Sequence, residues 1–280
     1  MRISVLRGIV FSLVFLAAGS VSATGPTRWF VVAEIERMHG DSFLLPLSDP
    51  AHIADARALV AQGPGGAVGS IVGARIRAGA DGLNRDLRGE GQPLWSWHVS
   101  EFEGFADAAI ELCDGWPGFI QQDVAGFIAN TGGRVCFWGY TVVAELAQAP
   151  QFAIGEFLDG VWYNPATPGQ GFFLDVLGAQ RQLFVGWFTF AEASINQVGS
   201  PDQRWLTAQG PYAGARATLR ATHTRGGAFN LPQPVSSEDV GSLELVFNDC
   251  NHGSASFALA GGQTGSIPIE RVVPLEACAR

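Results

Sequence analysis

Residues 160–190 read GVWYNPATPGQGFFLDVLGAQRQLFVGWFTF, and their pattern is that of a β-hairpin. Gly169 to Gly171 open it, Phe172, Leu174 and Val176 alternate with Phe173, Asp175 and Leu177, residues 178–181 supply a turn, and residues 183–190 run back. Aromatic and β-branched side chains suit a pleated, half-buried surface, whereas Gly169, Gly171, Gly178 and Gly186 would weaken a helix. A strand pair this apolar requires a core to pack on. Downstream, residues 204–208, 212–222, 242–248, 254–260 and 265–273 read as further strands between Gly and Pro turns, without helical periodicity. Seven or eight strands of this kind predict an all-β antiparallel barrel or sandwich over residues 154–280.

Upstream the pattern mixes. Residues 28–35 and 43–47 are strand-like, and residues 50–62 form a punctuated helix: Ser48 or Asp49 can cap it, Pro50 suits its first turn, Ile53, Ala56, Leu59 and Val60 share a face, and Gly63 ends it. Residues 68–77 and 94–99 alternate as strands. Ser100 and Glu103 stand at capping-box spacing, and Phe102, Phe105, Ala109 and Leu112 recur as one helical face, predicting a helix that ends near Cys113. A further helix is expected over residues 119–129 and a strand over 134–146. Without a regular strand-helix-strand period, these elements predict an α+β domain over residues 24–146, an antiparallel sheet with two or three helices. The composition changes at residues 147–153, the expected linker.

The chain has 280 residues, 47% hydrophobic and 15% charged, a composition able to bury a sizeable core. Residues 1–23 have the form of a secretory signal peptide: Arg2 and Arg7, an apolar run from Ile9 to Ala18, and Val21-Ser22-Ala23 before the expected cut. That apolar run is about half of what spans a bilayer, so no integral membrane segment is expected after cleavage. Export to the periplasm or the extracellular space follows. Cleavage removes two arginines and no acid, taking the net charge from −9 to −11, which disfavours nucleic acid as a partner. All seventeen basic residues are arginine, so lysine-dependent chemistry is excluded. In an oxidising compartment the four cysteines are expected as two bridges, Cys113 with Cys136 and Cys250 with Cys278, since each pair lies within one half and no C-x-x-C or Cys/His ligand spacing exists.

The first half resembles the N-terminal domain of calmodulin-binding-protein-like sequences through LSDPAHIADARALV, through LWSWHVS with the aromatic stretch after it, and through IELCDG. That resemblance implies a small α+β binding or scaffold module and brings no catalytic residues. Calmodulin is not an expected partner, because an acidic exported chain presents no basic amphipathic helix of the target type. The second half resembles a β-module of unknown function in exported bacterial proteins through GVWYNPATPGQGFFLDV, LFVGWFTF and DCNHGSASFALAGGQTGSIPIERV. It departs from that pattern at AEASINQVGSPDQRW, residues 191–205, where a tight acidic turn is usual.

No G-x-S-x-G, H-E-x-x-H or G-x-G-x-x-G is present, so serine hydrolase, zinc protease and dinucleotide-binding readings have no support. Asp81 and Asp86 lack the alternating ligands and terminal Glu of a calcium loop, and His98, between Trp95 and Trp97, reads as a structurally bonded histidine. No metal, cofactor or catalytic residue is assigned. The remaining signal is aromatic. Trp162, Tyr163, Trp187, Phe188 and Trp205 lie on neighbouring strands, and alternation sends one of Trp162 and Tyr163, and one of Trp187 and Phe188, to each face. The expectation is an exported, non-enzymatic binding or envelope-associated protein holding a glycan or peptide on these aromatics. The alternative is a secreted, glycan-directed hydrolase using paired carboxylates, for which Glu156, Asp159 and Asp175 are the acids near the hairpin.

Overall fold

The structure is a computed structural model and describes residues 25–35, 39–63, 71–89, 93–190 and 203–276. The expected signal peptide and Cys278 lie outside the described residues. In the first part, β1 (Arg28–Glu34), β2 (Ser42–Leu47), α1 (Pro50–Gln62), β3 (Ile71–Ala78), β4 (Trp97–Ala106), α2 (Pro117–Gln122), α3 (Val124–Thr131), β5 (Arg134–Val135) and β6 (Tyr140–Glu145) build two antiparallel three-stranded sheets, β2-β1-β6 and β4-β3-β5. Both sheets and all three helices feed one core that includes Phe30, Phe43, Ile76, Trp97, Ile120 and Phe127.

The α1 punctuation is as expected: the Asp49 carboxylate accepts from the Ala51 amide at 2.7 Å, and the Gly63 amide donates to the Leu59 and Val60 carbonyls. The expected helix over 119–129 is two helices. Asp123, at φ −153°, breaks the run, and its carboxylate caps α3 by accepting from the Gly126 amide at 2.8 Å.

The helix expected after Ser100 is a strand. Gly73 pairs with Gly104 but Ala74 with Phe102, and Arg75 pairs with Glu101 but Ile76 with Val99, so Glu103 and Ser100 are each an extra residue in β4. A bulge turns the strand period of two into a local spacing of three. Phe102 and Phe105 therefore face the same way, with ring centroids 4.8 Å apart, and pack against the core. The bulged Glu103 accepts from Arg75 and Arg134 at 2.7 Å each. Its carboxyl pKa is held below the usual range, first by the Arg134 hydrogen bond. Nearby, Cys113 and Cys136 form the expected disulfide, with Cα atoms 5.2 Å apart. Cys250 is also disulfide-bonded.

The second part is all strand: β7 (Gly160–Tyr163), β8 (Gly171–Leu177), β9 (Gln182–Phe190), β10 (Gln203–Ala213), β11 (Arg216–Ala228), β12 (Leu231–Phe247), β13 (His252–Leu259) and β14 (Thr264–Arg271). They form one large eight-strand antiparallel sheet, each strand paired with its chain neighbour, β14 also pairing with β7. The hairpin has the expected register, with Phe172 opposite Trp187, Leu174 opposite Val185 and Val176 opposite Leu183, all buried. The expected strand 212–222 is instead cut at Gly214, whose φ of +55° makes the turn between β10 and β11. Beyond the core, β11 and β12 extend as an exposed two-stranded arm turning at Phe229-Asn230, a stretch whose Gly and Pro content conceals its strands.

Residues 147–153, the expected linker, are held against the first part. Ala153 donates to the Gly82 carbonyl at 3.1 Å, Arg85 donates to the Gln151 carbonyl, and Phe152 is buried. Gly82 has φ +73°, and a Cβ there would stand 2.2 Å from the Phe152 ring. Gly82→Ala is therefore expected to cost roughly 1–3 kcal/mol through backbone strain and overpacking, read as a lower midpoint in urea denaturation.

Burial raises the Asp159 carboxyl pKa, although its Oδ1 accepts from the Val176 amide at 2.7 Å. A folded-state pKa above the unfolded one means that the folded chain holds the proton longer, so this group's contribution falls as pH rises through the interval between the two. Asp159→Asn keeps an acceptor oxygen and is expected to flatten that part of the stability profile. Denaturation curves from about pH 3.5 to 7 check it, and an unchanged slope would refute it.

Candidate functional site

Strand alternation distributes the five candidate aromatics over the two faces of the eight-strand sheet. Trp162 is 0% exposed and Trp187 is 5% exposed; both belong to the core. Trp162 donates from Nε1 to the Leu158 carbonyl at 3.0 Å and meets Phe247 edge-on, and the Arg271 guanidinium lies 5.5 Å from its ring centroid. Trp187 lies between Phe172 and Phe257, its centroid 5.5 and 5.3 Å from theirs. These inner members are not available on the outer face.

Tyr163, Phe188 and Trp205 take the outer face. Trp205 is the cross-strand partner of Phe188, and Phe188 of Gly171, while Tyr163 is the partner of Glu270 on the far side. Trp205 is 54% exposed and Phe188 46%. The Tyr163 phenol pKa is raised, first by its hydrogen bond to Glu270. Phe173, Phe184 and Phe190 are not among the candidates expected from the sequence, yet all three are exposed. Phe173 meets Phe188 edge-on at 5.5 Å. The signal for two of them is present in the sequence, since the alternation that turns Phe188 outward also turns out Phe184 and Phe190 on the same strand.

Two glycines keep this face flat. A Cβ at Gly171 would meet the Trp162 carbonyl at 2.7 Å, and Gly186, opposite Phe173, adds no side chain beside the Phe188 ring. The result is an apolar aromatic surface across β8, β9 and β10, of the kind that marks an interaction site when it is exposed on a folded chain. Planar rings of this sort stack on sugar faces or pack on peptide side chains.

The carboxylates do not assemble in the same way. Asp81 accepts from the Leu83 and Asn84 amides, at 2.9 and 2.8 Å, and Asp86 accepts from the Ser42 hydroxyl at 2.9 Å and the Arg88 amide at 2.8 Å, so both shape their loop. Asp249 closes the turn before β13, accepting from the Asn251 and His252 amides. Glu156 lines an ~820 Å³ cleft between the two parts of the chain and is the one acid among the described residues that do so. His98 pairs its Nδ1 with the Gly79 carbonyl at 2.8 Å, the structural role expected of it.

No curated protein and no solved structure matches the chain. Residues 26–149, the part carrying the two three-stranded sheets, match the family model of the BP-74 N-terminal domain.

Proposed function

We propose that this is an exported, non-enzymatic binding or envelope-associated protein that holds a neutral glycan or a peptide on the outer aromatic face of its eight-strand sheet. The observation that supports this most is the row formed by Phe188 and Trp205, exposed side by side with Phe173 against the Phe188 ring. A rigid support suits such a face. In this reading the sheet closes as a barrel, since β9 also pairs with β10 over nine residue pairs from Gln203↔Phe190 to Pro211↔Gln182. The net charge of −9 and the absence of lysine argue for a neutral ligand at this outer surface. The signal-like residues 1–23 and the Cys113–Cys136 bridge fit an oxidising, exported setting.

Glycan and peptide arrays probed with the full exported chain test the reading. A ligand whose signal is lost in Trp205→Ala supports it, and a ligand whose signal survives alanine at Phe173, Phe188 and Trp205 together contradicts it.

A further inference from the structure

One end of the eight-strand sheet holds a cavity of ~400 Å³ on its inner side, separate from the outer aromatic face. Its apolar lining includes the Phe172, Trp187 and Phe257 rings, which pack on one another, and the polar groups beside them include Asn164, Thr189 and Arg204. No acid lines it among the described residues. In a chain of net charge −9, this pocket therefore carries a single positive charge.

Arg204 stands between the outward Trp205 and Gln203, so alternation turns it inward with Leu206. Its Cα partner on β9 is Thr189, whose hydroxyl is taken by Gln170 at 2.6 Å. Arg204 Nε is buried and has no hydrogen-bond partner among the described residues. A desolvated guanidinium N–H without an acceptor is unusual, because buried polar groups are almost always paired. Its planar fork fits a carboxylate better than any neutral acceptor. The volume lies within the usual span for small-molecule pockets and, at roughly 30 Å³ per water-sized group, holds on the order of a dozen non-hydrogen atoms.

We infer that this cavity binds a small monocarboxylate with an aromatic or short aliphatic body, the carboxylate on Arg204 and the body against Trp187, Phe172 and Phe257. The site is independent of the outer face, and neither reading requires the other.

Calorimetric titration of the full chain with indole-3-acetate, 3-phenylpropionate and decanoate, each against its primary amide, tests the inference. At least one acid is expected to bind saturably and roughly tenfold to a hundredfold more tightly than its amide, as a charge-assisted contact requires. Arg204→Gln is expected to bring the acid down to the affinity of the amide, while Arg220→Gln, a charge removed from an exposed site on β11, leaves it unchanged. No binding of any acid at millimolar concentration, equal binding of acid and amide, or an Arg204→Gln chain that binds as before would each overturn the inference. If Arg204→Gln does not fold, the ratio of acid to amide in the unaltered chain decides alone.

Discussion

Replacing Trp162 by alanine is expected to lower the unfolding free energy by about 3–5 kcal/mol, toward the upper end of that range. The side chain is fully buried and meets Phe247 edge-on at 5.1 Å. Its truncation leaves a cavity and also strips the Leu158 carbonyl of the indole N–H. It removes the ring beneath Arg271 as well, a guanidinium that donates to the Leu158 and Asp159 carbonyls and whose pKa is lowered by burial. Trp162→Phe should keep most of the packing and lose the hydrogen bond, a cost of about 1 kcal/mol plus the missing volume. Urea denaturation with the disulfides intact measures both. A loss below about 1 kcal/mol for Trp162→Ala would mean that the core of the eight-strand sheet is not organised around this residue.

The parts of the fold that were legible in the sequence are those in which local pattern and tertiary role agree. The hairpin of β8 and β9 alternates strictly, and the same residues alternate in burial, because a period of two leaves no other way to cover one face. Helix α1 was legible because Asp49, Pro50 and Gly63 satisfy its ends locally. What misled was a pattern with two physical sources. Phe102 and Phe105 are three residues apart in a helix-like spacing, and the extra residue Glu103 produces the same facing in a strand; only the partner strand β3, distant in sequence, distinguishes them.

The arm of β11 and β12 was illegible for a different reason. Gly226 and Gly227 have φ of +85° and +82°, and Pro232 and Pro234 lie on the return strand, so the composition is that of a loop while the pairing is that of a ladder. At the candidate site, alternation gave one outward residue in each of two pairs but not which one. The choice is made by the core. Trp162 and Trp187 have ring partners on β12, β8 and β13 that close the interior, and that leaves Tyr163 and Phe188 for the outer face.

The second large effect is on binding. Phe188→Ala and Trp205→Ala each remove an exposed ring from the outer face, so each is expected to change unfolding free energy by less than about 1 kcal/mol, as surface substitutions generally do. An aromatic at the centre of a binding face contributes about 2 kcal/mol or more when truncated, a loss of roughly thirtyfold in affinity. The core residue Trp162 should show the reverse, stability lost and intrinsic affinity of the folded fraction kept.

The most direct test is therefore one paired measurement on Trp205→Ala: unfolding free energy by urea denaturation, and affinity by titration with the strongest glycan or peptide from the arrays. The account predicts stability within about 1 kcal/mol of the unaltered chain together with an affinity loss of roughly thirtyfold or more. Unchanged affinity with undiminished stability would contradict it, as would a stability loss of about 3 kcal/mol, the cost of a core aromatic.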